Sequence, residues 1–170
     1  MPELTQVKET KKGRYALFFD GVFAFSLDED TFAMAGLHTG DELEEWQIHD
    51  LQTKSDTRKA VDKAMDLLAL RDHAAGELYQ KLCRSFDPHS AAAAVAKMQE
   101  LNLLDDAGFA RRRAAELLRK RKSRRAILDD LHAKGIDRGT AAEAVEALFA
   151  QSEEDEEENP ELANARALVE

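Results

Sequence analysis

His132-Ala133-Lys134-Gly135-Ile136-Asp137 ends one helix and opens the next. Gly135 suits the left-handed residue that terminates a helix, and Asp137 suits the cap of the helix that follows. A shorter counterpart, Cys83-Arg84-Ser85-Phe86-Asp87, stands upstream. Aligning the two turns exposes a repeat. Leu78 falls on Ile127 and Leu82 on Leu131, 49 apart, while Asp87 falls on Asp137, Ala91 on Ala141, Val95 on Val145 and Met98 on Leu148, 50 apart. The offset changes by one because the first turn is one residue shorter. Matching apolar positions at a fixed period indicate a duplicated supersecondary unit, stacked on its copy. Such arrays work by presenting a surface.

Around each turn the apolar spacing predicts helices near 57–70, 74–84 and 88–101, then 106–121, 124–134 and 138–151. Local punctuation supports the breaks. Asp87-Pro88 gives a cap followed by proline in the first helical turn, Asp105 or Asp106 caps the fourth helix, and Ser123 the fifth. The fold expected is mainly α: tandem three-helix repeats over 57–104 and 105–151 in an elongated curved array. A small β-hairpin and helix module precedes them at 15–53.

That module rests on Tyr15 to Ser26, where Asp20-Gly21 permits the positive φ angles of a type I′ turn. Strict alternation places Phe18, Phe23 and Phe25 on one face and Tyr15, Leu17, Phe19 and Val22 on the other. Capping boxes at Ser26–Glu29 and Thr39–Glu42 predict two short covering helices, the first ending near Gly36 and the second running to about Leu51. Trp46 reads as a core residue of this module. Residues 1–14 read as a flexible N-terminus. The acidic run Glu153 to Glu158 reads as part of a solvated linker, 152–159. Pro160 to Val169 restarts a helical pattern where a third unit would open, so 160–170 reads as a third unit cut short and poorly packed.

Net charge is −10, unevenly distributed. Residues 1–56 carry net −7, residues 57–150 net +4 and residues 151–170 net −7. Between Arg111 and Arg125 stand nine basic residues against Glu116 alone. A concentrated positive site in an acidic protein suits an acidic partner or a phosphate backbone. On a helical wheel, Phe109, Ala110, Ala114, Leu117 and Leu118 form a packing arc. Arg111, Arg112, Arg119 and Lys122 project away from it. Arg113 and Arg121 fall within the arc and must pair with acids or reach around its edge. Arg124 and Arg125 open the next helix, where cations oppose the helix dipole. The strip is therefore either a solvated face or a docking surface made of Arg111, Arg112, Arg119, Lys120, Lys122, Arg124 and Arg125. The acidic run folding back over it within the same chain is a linked expectation.

Catalytic chemistry is not legible. The five histidines are scattered, and Cys83 with His89 lacks the four paired ligands of a structural zinc site. No phosphate-binding glycine loop, dinucleotide fingerprint or nucleophile elbow occurs. Neither a metal nor a cofactor is expected, and the reading is not an enzyme. The single cysteine, the lack of a secretory leader and the lack of a long apolar run predict a soluble cytoplasmic protein without membrane contact, and a monomer is expected.

Several blocks resemble the RecX regulatory proteins, in order and spacing, over about 57–150. They are Ala69-Leu70-Arg71-Asp72 leading to Glu77-Leu78-Tyr79-Gln80-Lys81-Leu82 and Phe86-Asp87; Leu101-Asn102-Leu103-Leu104-Asp105-Asp106-Ala107-Gly108-Phe109-Ala110; and Lys122-Ser123-Arg124-Arg125-Ala126-Ile127 with Leu131 to Asp137. Leu104, Asp105, Asp106, Phe109, Gly135, Ile136 and Asp137 then form the repeat joint. The pattern departs from the family at Ser85 and at Ser123, where glycine is usual, and in the near absence of a third unit. The resemblance implies a negative regulator of the RecA recombinase. It would bind the RecA filament on single-stranded DNA, inhibit recombination and ATPase activity, and catalyse nothing itself. Weak direct DNA contact is a further implied property. Two rivals stand beside it: a helix-turn-helix-like DNA-binding protein without a RecA role, and a general protein-interaction repeat.

Overall fold

The structure, a computed structural model, describes residues 1–158. It is mainly helical, with one antiparallel sheet of order β1-β2-β3 formed by Leu4–Glu9 (β1), Tyr15–Phe19 (β2) and Val22–Leu27 (β3). Seven helices follow: Glu29–Ala35 (α1), Glu45–Leu70 (α2), Ala75–Leu82 (α3), Pro88–Glu100 (α4), Asp106–Arg119 (α5), Arg124–Ala133 (α6) and Arg138–Glu158 (α7). The chain divides into two compact units. One contains 1–67 and 81–98, the other 68–80 and 99 onward.

The first unit holds the sheet, α1 and most of α2. Asp20 and Gly21 both take positive φ, at 52° and 81°, as a type I′ turn requires. The expected face assignment is corrected by a bulge. Leu17 pairs with Phe25 but Phe18 pairs with Phe23, so Ala24 is an extra residue. The bulge turns Phe25 toward Leu17, Phe19 and Leu27, and all four are buried with Leu4, Leu43 and Leu51. Phe23 stays exposed, edge-on to Phe18.

Further expectations for this unit fail for local reasons. The N-terminus is not a loose tail: β1 pairs with β2 over Leu4 to Glu9, and Leu4 is fully buried. Asp28, not Ser26, caps α1 by accepting from the Thr31 amide at 3.1 Å. Gly36 ends that helix in the left-handed region as expected. Trp46 lies on the outside, 65% exposed, while Leu43 and Ile48 face the sheet. The second and third expected helices are one. α2 runs unbroken across 53–57 because no glycine or proline interrupts it, and Asp50–Lys54 and Arg58–Asp62 pair one turn apart.

The duplication is visible in burial. Leu78, Leu82, Ala91, Val95 and Met98 are all buried, as are Ile127, Leu131, Ala141 and Val145, with Leu148 partly so. Both third helices start alike. Asp87 accepts from the Ser90 amide at 3.1 Å, and Asp137 from the Thr140 amide at 3.2 Å. Those hydrogen bonds hold both carboxyls below the usual carboxylate range.

In the second unit one core joins α5, α6 and α7 through Phe109, Ala110, Ala114, Leu117, Ile127, Leu131, Ile136, Ala141, Ala144 and Val145. Ala74, from the first repeat copy, is buried in it. α7 continues to Glu158 instead of ending near 151, as glutamate readily sustains a helix. The acidic run is thus helical as far as Glu158. The expected start of a third unit, at 160–170, lies outside the described residues.

Candidate functional site

The site is built from two connections that occupy equivalent places in the two repeat copies. In the first, Arg71-Asp72-His73 joins α2 to α3; in the second, Lys120-Arg121-Lys122-Ser123 joins α5 to α6.

The first connection is packed away. Ala74 is fully buried, His73 is 3% exposed and Glu77 8%. The Nδ1–H tautomer of His73 donates to the Arg71 carbonyl at 2.9 Å. Arg71 donates twice to Glu77, at 3.0 and 2.9 Å, and Lys134 from the α6–α7 turn donates to the same carboxylate at 3.1 Å. Burial alone would raise the Glu77 carboxyl. The hydrogen bonds and charges of Arg71 and Lys134 outweigh it and hold the group at about 2. Gly76 and Gly135 touch backbone to backbone: a Cβ on Gly76 would stand 2.8 Å from the Gly135 Cα. Only glycine allows that approach.

The helix starts meet here too. Asp105 caps its own helix, α5, through the Gly108 amide at 3.0 Å. Asp106 instead accepts from the Ala75 amide at 2.8 Å and so caps α3 from outside. Two positively polarised helix ends are thus bridged by one carboxylate. Of the expected joint residues, Phe109 and Ile136 are buried in this core, Leu104 is partly buried, and Gly135 has φ of 84° before the Asp137 cap.

The second connection is bare. Lys120, Arg121, Lys122, Ser123, Arg124 and Arg125 are all exposed. α5 ends at Arg119, two residues earlier than expected. Arg121 takes the left-handed conformation at φ 63°, the Lys122 amide donates to the Leu117 carbonyl at 3.1 Å, and the Arg121 amide to Leu118 at 2.9 Å. The α6–α7 turn closes identically, with Ile136 donating to Leu131 and Gly135 to His132, both at 3.0 Å. One turn uses glycine at the left-handed position and the other an arginine, which costs roughly 1 kcal/mol. Ser123 caps α6 through the Ala126 amide at 3.1 Å.

The basic strip is not uniform. Arg112 pairs with Asp72 at 3.2 Å. Lys120 pairs with Glu116 at 3.4 Å, which lowers the Glu116 carboxyl. Arg124 lies 4.9 Å over the Phe149 ring. Arg111, Arg119, Arg121, Lys122 and Arg125 have no ion pair with any described residue. The expectation for Arg113 holds: it grips Asp130 at 2.9 and 3.1 Å, and that hydrogen bonding lowers the Asp130 carboxyl. Arg121 is corrected. It lies past the helix end, outside the packing arc, and makes no such pair. Glu153 and Glu154 are exposed and make no ion pair with the strip.

Arg71, Asp72, Phe109, Arg112, Arg113, Glu116 and Lys134 line an open cleft of 440 Å³. Its four cations are each engaged by Glu77, Asp72, Asp130 or Glu116, so the cleft is a satisfied network. Sequence reading missed Gly76, Glu77 and the outward capping by Asp106. Only the adjacent pair of aspartates hinted at the last. Among the described residues no His, Cys, Asp and Glu side chains stand grouped for a metal ion, and no helix is long and apolar enough to cross a membrane.

Residues 105–145 match the family model of the RecX second three-helix domain. The chain is 26% identical over 149 residues to the regulatory protein RecX of Caldanaerobacter subterraneus subsp. tengcongensis, covering 87% of this chain and 76% of that protein. It is 30% identical over 152 residues to the RecX of Bacillus velezensis, covering 87% and 58%, and 33% identical over 139 residues to that of Lactobacillus johnsonii, covering 80% and 51%. The chain thus spans little more than half the length of these last two relatives. A crystal structure of a regulatory protein RecX shares the fold, with a TM-score of 0.64 and 24% identity over 87% of this chain and 74% of that one.

Proposed function

The chain is a relative of the RecX regulatory proteins, and from that premise we propose that it is a negative regulator of the RecA recombinase. It binds the RecA filament on single-stranded DNA and lowers its ATPase and recombination activity, without catalysing a reaction and without a cofactor. It acts as a cytoplasmic monomer. One observation supports a docking role most directly: the second connection carries exposed cations on a capped turn, with Arg121 and Lys122 paired to no acid among the described residues, although the same place in the first copy is packed away. Charges left in water at a left-handed arginine oppose local stability, so a partner is the simpler reason for them.

The test is RecA ATPase on single-stranded DNA with this chain titrated in. Turnover is expected to fall with added protein. The triple variant Arg119→Glu, Lys122→Glu and Arg125→Glu should lose most of that effect while its thermal midpoint stays near the parent's. Unchanged turnover at saturating parent protein rejects the reading. A second reading, direct DNA binding, draws on the same cations. It predicts affinity for bare DNA that falls by about one log unit per log unit of salt for each phosphate neutralised.

A further inference from the structure

We propose that the second connection and the start of α6 receive a partner helix whose first turn carries carboxylates. The first repeat copy supplies a worked example of what such a place accepts. There the start of α3 is covered by the start of α5, and the Asp106 carboxylate takes the Ala75 amide at 2.8 Å. Arg112 reaches Asp72 at 3.2 Å alongside.

By the 49-residue offset Ala75 corresponds to Arg124, Asp72 to Arg121, His73 to Lys122 and Gly76 to Arg125. Four residues that are neutral or acidic in the covered copy are all basic in the uncovered one. The Arg124 amide, counterpart of the Ala75 amide, has no acceptor among the described residues, and its neighbours are exposed. An occupant equivalent to the opening of α5 must therefore present carboxylates, with more negative charge than Leu104-Asp105-Asp106 supplies to the first copy. A carboxylate in the first turn of a helix is also favoured by that helix's own dipole. This deepens the reading above by naming what the partner shows to the site, and it rests on that reading only for which protein carries the helix.

The experiment uses the full chain labelled with 15N and two synthetic helical peptides of the same composition and net charge. One opens with two aspartates and the other carries them in its last turn. A short single-stranded oligonucleotide is the third ligand. The acid-first peptide is expected to shift the amides of Arg124, Arg125 and Ala126 and to bind about tenfold tighter than the acid-last peptide, a difference of roughly 1.4 kcal/mol. Lys122→Ala with Arg125→Ala should abolish those shifts and leave the thermal midpoint in place. Equal binding of the two peptides, shifts confined to other residues, or a response to the oligonucleotide alone would each overturn the proposal. Loss of RecA inhibition with peptide selectivity intact rejects only the choice of RecA; RecA inhibition without peptide selectivity rejects only this inference.

Discussion

Arg71-to-Glu77 and Lys120-to-Ala126 occupy equivalent places in the two repeat copies, yet they share almost no polar chemistry. In the first, an arginine, an aspartate and a glutamate are locked into pairs, and an alanine and a histidine are buried. In the second, the equivalent stretch is cationic and wet. The hydrophobic frame around both is the same: Leu78 and Leu82 in one, Ile127 and Leu131 in the other, all inaccessible. What differs is whether another helix start and another turn pack on top. A covered connection must satisfy each polar group from protein. An uncovered one is free to carry charge for something else. The two copies agree in what packs inside each and differ in what lies at their connections.

The sharpest way to break this contrast is steric. Gly76→Val should cost more than about 3 kcal/mol in urea unfolding, since its neighbour is backbone and cannot swing aside. At the counterpart, Arg125→Val should cost less than about 0.5 kcal/mol. Similar losses at both positions would mean that cover does not separate the two segments.

Charge gives the next largest effect. Glu77→Ala should cost about 2–3 kcal/mol by stranding Arg71 and Lys134, both of which retain some access to water. Its depressed carboxyl also makes a pH signature. Glu77 contributes stability in full above its ordinary value of 4.5 and loses that contribution as pH falls through about 2. Acid titration of stability should therefore slope downward across that window, and Glu77→Gln should flatten it. Introducing Ala126→Glu at the counterpart should create no such slope.

Caps and turns rank lower. Ser123→Ala should cost about 1 kcal/mol, because among the described residues α6 has no cap from a neighbouring helix, unlike α3. Arg121→Gly should stabilise by about 0.5–1 kcal/mol and reduce binding to the proposed partner. A neutral result for stability there would remove the argument that the turn is held in a costly conformation.

Much of the helical fold was legible because apolar spacing and caps are local signals. Asp87, Asp137, Gly36 and Ser123 each lie within a few positions of the boundary they set, whereas the break expected between 51 and 57 does not occur. Ala24 was not legible as a bulge, since the shift arises from pairing across the hairpin. β1 was missed because Thr5, Gln6, Lys8 and Glu9 make it look like tail; its value lies in Leu4 and in backbone pairing to β2. Trp46 misled because an aromatic beside Leu43 reads as core, whereas the helix turns it outward. In the site, the positive cluster was obvious from composition. Which of its members are committed was not, because Asp72 and Arg112 lie 40 residues apart. Gly76 gave no signal at all, since its constraint comes from Gly135 across the joint.

The capping of α3 by Asp106 reaches 31 residues along the chain. A ribosome delivers Ala75 well before it delivers Asp106. Until α5 emerges, the contacts that Asp106 and the α5–α7 core make with the Ala75 amide and Ala74 cannot form. The second copy therefore completes the beginning of α3. A nascent chain halted before Asp106 should remain open to proteases near Asp72, and should close there soon after α5 to α7 leave the tunnel.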